Sequence, residues 1–224
     1  MNRIYLYNDG IGCVDLVAHM GTDLTIVNAA RVSFNKHKAE LDDQDKRLIR
    51  YLAEHRHTST FEHNVVTFRF TVPLYVRSQH HRHRTWSYNE ISRRYTEEDL
   101  KFYEPVAFRT QHASNRQASN RDSINPEFEG RTAADHMRAQ HASARELYES
   151  LLASGVCREQ ARGVLPQNLY TSYYGTTNLN NLIRFIDLRL DKGAQWEIQQ
   201  VAKACLTFAA ELWPHAIGAA FKEG

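Results

Sequence analysis

The chain has 224 residues, 42% of them hydrophobic and 24% charged, with a formal net charge of +2. That length suits one large domain or two small ones, and the balance is that of an ordinary soluble protein. So small a net charge excludes a global field for polyanions: any basic function must be local, and neither a nucleic-acid nor a membrane partner is expected. Cys13, Cys157 and Cys205 are far apart and odd in number. They form no disulfide framework or metal spacing, which fits a reducing cytoplasm. No leader and no bilayer-spanning run is expected.

Residues 3–7 and 12–18 read as short strands around the turn Asn8-Asp9-Gly10. Residues 23–33 have a helical tendency after Asp23. Asp42, Asp43 and Asp45 precede Leu48, Ile49 and Leu52, which are spaced for a helix face that stops near His55. Beyond it, Val66, Phe68, Phe70 and Val72 alternate with Thr67, Arg69 and Thr71, the period of two of a strand. Pro73 opens a short helix that delivers Gln79, His80 and His81 to the following stretch. Residues 82–95 carry neither a helical nor a strand period, which argues against an amphipathic helix or a half-buried strand there. Glu97, Glu98 and Asp99 start a short turn.

Residues 109–130 repeat Ser114-Asn115-Arg116 as Ser119-Asn120-Arg121 with little apolar content. They are expected to form a mobile polar insertion, not a domain boundary. A long helix is predicted from about 131 to 154, with Ala134, Met137, His141, Ala144, Leu147, Tyr148 and Leu151 on one face and Gly155 as its stop. His141 on that face reads as a core histidine. A short helix over 158–166 and a Tyr/Thr-rich strand over 169–177 follow. The next helix has the stripe Leu179, Leu182, Ile183, Ile186 and Leu190, and the last, over 194–212, breaks at Pro214. Strands mixed with long helices, without a βαβ phosphate fingerprint, predict an α+β fold: one domain, its antiparallel or mixed sheet packed by long helices.

The stretch Arg82–Tyr95, RHRTWSYNEISRRY, sets Arg82, Arg84, Arg93, Arg94 and His83 around one carboxylate, Glu90. Guanidinium forks suit phosphate and carboxylate oxygens, so a site for an anionic ligand is one reading and a solvated charged loop the other. The order of residues resembles the signature RHRxxSxNExSxRY of the flavin-dependent thymidylate synthases. Arg82, His83, Arg84, Ser87, Asn89, Glu90, Ser92, Arg94 and Tyr95 fill every specified position. The similarity extends to most of the chain apart from residues 109–130.

This resemblance implies reductive methylation of dUMP to dTMP, with FAD as cofactor, NADPH as reductant and methylenetetrahydrofolate as one-carbon donor. It also implies a homotetramer whose active sites draw on more than one subunit. Arg189 would be the catalytic group, its charge set against the uracil ring to favour the ionised form. The dUMP contacts implied are Gln79, Arg82, Glu90, Ile91, Ser92, Arg93, Arg94, Arg162 and Arg189. Arg162 lies in Gln160–Pro166, similar to the family's AR-x-x-LP segment, and Arg93 fills a variable position where the backbone would make the contact. The FAD contacts implied are His57, Ser59, Glu62, Arg82, His83, Arg84, Asn89, Glu90, Asn178, Asn180 and Arg184. Ser59 stands where threonine is common, Asn180 replaces a usual arginine, and Arg184 occupies a position where asparagine or histidine is common. Gly193 replaces a frequent histidine.

Two rivals compete. An RNA- or single-strand-binding module would use Trp86, Tyr88 and Tyr95 as stacking platforms, but the weak net charge argues against it. A metal hydrolase would use His55, His57 and His63 or His80, His81 and His83; neither set has the i, i+4 spacing of H-E-x-x-H, so no metal is expected. No cysteine sits in an electropositive motif apart from Cys157 beside Arg158, and Ser92 lacks an adjacent histidine base. No covalent nucleophile is therefore assigned.

Overall fold

The structure, a computed structural model, describes residues 2–95 and 100–221; the turn expected at Glu97–Asp99 lies outside them. The predicted strands and long helices form. Strands β1 (Arg3–Tyr5) and β2 (Cys13–Met20) are joined through a tight turn. There Asp9 accepts the amides of Ile11 and Gly12 at 2.9 and 3.0 Å. Helix α1 (Asp23–Arg31) and helix α2 (Asp43–Glu54) follow. The acids ahead of α2 act as expected: Asp42 and Asp45 form a reciprocal capping box. Asp45 is fully buried and also takes Arg31 and Lys38. Helix α2 ends at His55, and Arg56 turns the chain with φ 55°.

Strand β3 (Val65–Pro73) shows the predicted alternation, with Val66, Phe68, Phe70 and Val72 fully buried. Helix α3 (Leu74–His80) then returns across the sheet. Contrary to expectation, part of the signature is a strand: β4 (Ser87–Glu90) pairs antiparallel with β7 (Tyr170–Asn178). It is a polar edge strand in which only Tyr88 turns toward the core, so no period of two could register. A small hairpin, β5 (Glu127–Phe128) and β6 (Arg131–Thr132), leads into α4 (Ala133–Ala153). On α4, His141, Ala144 and Tyr148 are buried as expected, whereas Leu147 lies outward at 49% exposure. Helix α5 (Arg158–Ala161) continues as a 3₁₀ turn over Arg162–Val164. After β7 come α6 (Leu179–Leu190), α7 (Trp196–Leu212) and a further helix, α8 (Pro214–Ala220).

The sheet order is β1-β2-β3-β7-β4, antiparallel throughout. Helices α6 and α7 cover one face, so the fold is α+β. The β3–β7 register runs from Val65 opposite Asn178 to Pro73 opposite Tyr170. Gly175 on β7 is required: a Cβ there would lie 2.9 Å from Phe70 and 3.2 Å from Trp86. This close approach lets Trp86, 6% exposed, anchor the signature stretch to the core. His80 sits fully buried among Phe70, Trp86, Tyr88 and Phe185, with Nδ1 2.8 Å from the Tyr173 hydroxyl. Burial among these rings pushes its pKa well below the usual imidazole value, so it is a neutral core group.

Residues 109–130 are more structured than a bare loop. Bridges join Phe108 to Ile124 and Gln111 to Ser119, and Asp122 accepts the Thr110 amide at 2.9 Å.

Candidate functional site

The signature leaves α3 in a turn and passes along β4, and this geometry distributes its side chains. At the Pro73–Tyr170 end of the sheet lies a cleft of about 580 Å³. It brings together Glu90, Ile91, Ser92, Arg93, Arg94 and Arg162, six of the residues singled out for the nucleotide. Arg77, which sequence reasoning missed, joins them and pairs with Glu90 at 3.2 Å. The Glu90 carboxylate also accepts Thr171 Oγ1 at 2.7 Å. The lining counts four guanidinium groups, Arg77, Arg93, Arg94 and Arg162, against two carboxylates, Glu90 and Glu159. That surplus suits an anion such as a phosphate.

A second group forms where α6 meets the last turn of α3. Arg189 is half-buried; its Nε donates to His83 Nε2 at 3.0 Å and one Nη2 hydrogen to the Gln79 carbonyl at 3.2 Å. Among the described residues no carboxylate pairs with it. Burial and the Arg189 charge lower the His83 pKa to about 4, so His83 is neutral, accepts through Nε2 and carries its proton on Nδ1. Burial also lowers the pKa of Arg189 itself.

The third group occupies the opposite, Val65–Asn178 end. A cleft of about 670 Å³ is lined by His57, Glu62, Asn180 and Arg184, four of the residues singled out for the flavin. Arg56, Thr58 and Asn181 add donors there, and Leu52, Phe61 and Ile183 an apolar wall. Asn180 donates to Glu62 at 3.3 Å. The lining sets two cations, Arg56 and Arg184, against two carboxylates, Glu62 and Asp187, beside two side-chain amides and an apolar wall, which suits a long ligand with polar groups in one part and a flat ring system in another.

The remaining flavin candidates lie elsewhere. Ser59 is exposed and is absent from that wall, where Thr58 stands instead. Asn178 is the N-cap of α6, accepting the Asn181 amide at 3.0 Å, a structural task the resemblance does not reveal. Asn89 faces away from the core beside Tyr174, with Arg69 and Ser172. Arg82 and Arg84 are exposed on the turn after α3. The flavin candidates thus fall at separate places on one protomer.

The architecture is one found in nucleotide methylases. Two crystal structures of the UMP/dUMP methylase PolB from Streptomyces cacaoi, one bound with 5-Br dUMP and one with 5-Br UMP, match 96% of this chain with TM-scores of 0.77 and 0.80 at 35% and 34% identity. They are covered over 96% and 95% of their own chains. A family model described as thymidylate synthase complementing protein matches residues 15–215. Flavin-dependent thymidylate synthases from Thermus thermophilus and Thermotoga neapolitana are 46% and 42% identical to it. Those alignments cover 95% and 91% of this chain, and 76% and 88% of the relatives. The chain belongs to the flavin-dependent thymidylate synthase family.

Proposed function

We propose that this flavin-dependent thymidylate synthase methylates C5 of dUMP at a site assembled from more than one copy of the chain, with Arg189 as the catalytic cation. The observation that carries the proposal is Arg189 itself. A half-buried guanidinium held by a neutral imidazole and a carbonyl, with no carboxylate among the described residues, keeps its charge for a ligand. His83 and Gln79 fix the plane of the fork and leave its other three N–H groups without a hydrogen bond from the described residues. Those donors would meet the uracil carbonyls and stabilise negative charge as it develops on the ring, which raises electron density at C5. Arg94 and Arg162 would hold the nucleotide phosphate, and Ser92 the sugar–phosphate side.

FAD, when bound, supplies the redox chemistry, passing reducing equivalents from NADPH to the one-carbon unit of methylenetetrahydrofolate. His57, Glu62, Asn180 and Arg184 would hold it, with Asn89, Arg82 and Arg84 contributing from other copies. Nine residues of β3 separate the two clefts, and eight steps of about 3.3 Å put them roughly 26 Å apart. One protomer cannot close both on one small reacting centre, which supports a homotetramer with shared sites. The sheet face opposite α6 and α7 supports association too: among the described residues no layer covers Arg69, Asn89 and Tyr174, and Tyr174 is 48% exposed.

The polar insertion at 109–130 belongs, in this reading, to the same catalytic domain. Three unpaired thiols, at Cys13, Cys157 and Cys205, suit a cytoplasmic location. Among the described residues no helix is long and apolar enough to cross a membrane.

The test is the purified protein's flavin absorbance together with NADPH oxidation that depends on dUMP. Both are expected. Neither appearing after FAD is added would end the proposal.

A further inference from the structure

Glu90 closes β4, and its side chain, 25% exposed, lies on the wall of the guanidinium cleft. The contacts that the fold gives its carboxylate gather on one oxygen. The Thr171 hydroxyl donates to Oε1 at 2.7 Å, and the Arg77 Nε lies 3.2 Å from the same oxygen. The Arg77 N–H is not aligned as a hydrogen bond, so this second contact is one of charge. Among the described residues nothing donates to Oε2.

The two partners are themselves held. Thr171 is 5% exposed on β7, opposite Val72 of β3, and a β-branched side chain there has little rotational freedom. Arg77 stands on α3 and lines the same cleft. The chain at Glu90 is fastened too, because the next amide, that of Ile91, donates to the Ser172 carbonyl at 3.0 Å. A glutamate on an edge strand would otherwise sample several rotamers; fixing it before a ligand arrives removes that entropic cost from binding. Arg77 also offsets the Glu90 charge, which would otherwise act against a phosphate in the cleft.

We infer that Thr171 and Arg77 position Glu90 so that its Oε2 accepts the 3′-hydroxyl of the nucleotide's sugar, beside the arginines that hold the phosphate. This rests on the reading of the guanidinium cleft as part of the dUMP site. A 5′-nucleotide carries its phosphate and its 3′-hydroxyl on one sugar ring, and the deoxyribose of dUMP has no other free hydroxyl. A carboxylate only accepts and a hydroxyl can donate, and carboxylates take sugar hydroxyls in other nucleotide sites. The uracil ring and its ionisation play no part in this contact. Thr171 and Arg77 are in this account positioning residues.

The experiment measures dissociation constants of dUMP and of 2′,3′-dideoxyuridine 5′-monophosphate on the FAD-loaded protein, by calorimetry, for wild type, Thr171→Val, Thr171→Ser and Arg77→Met. Wild type is expected to bind the dideoxy nucleotide about tenfold more weakly, the worth of one hydrogen bond to a charged group. Thr171→Val keeps the shape and removes the hydroxyl; Arg77→Met removes the charge. In both, the ratio of the two constants should fall by about threefold or more, as the acceptor is no longer held in place. Thr171→Ser keeps the hydroxyl and should keep the wild-type ratio. A merely structural role would weaken both nucleotides alike. An unchanged ratio in folded, FAD-loaded Thr171→Val overturns the inference, as does an equal fall in Thr171→Ser; if Thr171→Val fails to fold, Arg77→Met decides on the same readout. A wild-type ratio near one overturns the inference while leaving the dUMP site standing. Should the wild type bind no dUMP at all, the reading of the cleft fails first and the inference falls with it.

Discussion

At the Pro73–Tyr170 end of the β3–β7 pair, four guanidinium groups outnumber two carboxylates around an open cleft. At the Val65–Asn178 end, the cleft balances two cations with two carboxylates and adds amides and an apolar wall. The first suits a small, concentrated anion; the second suits a long ligand that is polar in one part and flat in another. The same two strands carry both, because a nine-residue ladder fixes their separation as rigidly as any pair of elements in the fold. What this contrast teaches is that a strand can keep two binding chemistries apart in one chain while association of copies brings them together.

The largest expected effect is at the group that serves neither cleft's lining. Arg189→Ala should lower turnover by about a thousandfold, the cost of removing a preorganised charge from a developing anion. FAD should stay bound, since the Val65–Asn178 cleft is untouched. Flavin lost with turnover retained would show the two roles reversed.

Next comes the support of the flavin-side cleft. Asp45 is the buried partner of Arg31 and Lys38, and α2 leads directly to Arg56 and His57. Asp45→Ala should cost roughly 3 kcal/mol by taking the buried carboxylate from Arg31 and leaving Lys38 with Asp42 alone, read as a lowered denaturant midpoint. FAD affinity should fall more than dUMP affinity. An equal fall in both would mean that the ends are not independent.

A smaller effect concerns acid. His83 titrates near 4, below the ordinary imidazole value of about 6.5, so the unfolded chain takes up this proton first. The stability that neutral His83 confers is present above about pH 6.5 and is lost as the pH falls toward 4. Protonation would also turn Nε2 from acceptor to donor and release the Arg189 Nε–H. The groups facing His83 are Arg189 and Phe185 on α6 and His80 on α3. Thermal midpoints measured across that window should fall less in His83→Gln than in wild type; parallel curves would remove His83 from the account.

The smallest effect separates structure from binding at one residue. Asn178→Ala should cost about 1 kcal/mol through loss of the α6 N-cap. If FAD affinity holds once stability is restored by lower temperature, Asn178 acts as a cap alone.

Much of this was legible in the chain. β3 announced itself because Val66, Phe68, Phe70 and Val72 turn inward while Thr67, Arg69 and Thr71 turn outward; α2 did so through its acids and its Leu48, Ile49 and Leu52 face. β4 did not, because Ser87, Asn89 and Glu90 read as loop residues and only pairing with β7 extends them. The signature named the residues of the guanidinium cleft almost completely, since Ile91–Arg94 are contiguous. Arg77 was missed because its link to Glu90 depends on how α3 folds back over the strands. The Thr171–Glu90 connection has no spacing to recognise: it joins two distant parts of the chain through the pairing of β4 with β7. Nor could linear order reveal that the flavin candidates stand on opposite ends of a sheet.

The claim that the two clefts serve one reaction across copies is tested most directly by mixing. Arg94→Ala disables one end and His57→Ala the other, and each homogeneous variant should be inactive. Chains of the two kinds, unfolded and reassembled together in equal amounts, would form shared sites of which about a quarter draw both ends from intact chains. Recovery of roughly that fraction of wild-type thymidylate synthesis is the predicted result. Mixed assemblies that form but remain as inactive as either variant alone would contradict it.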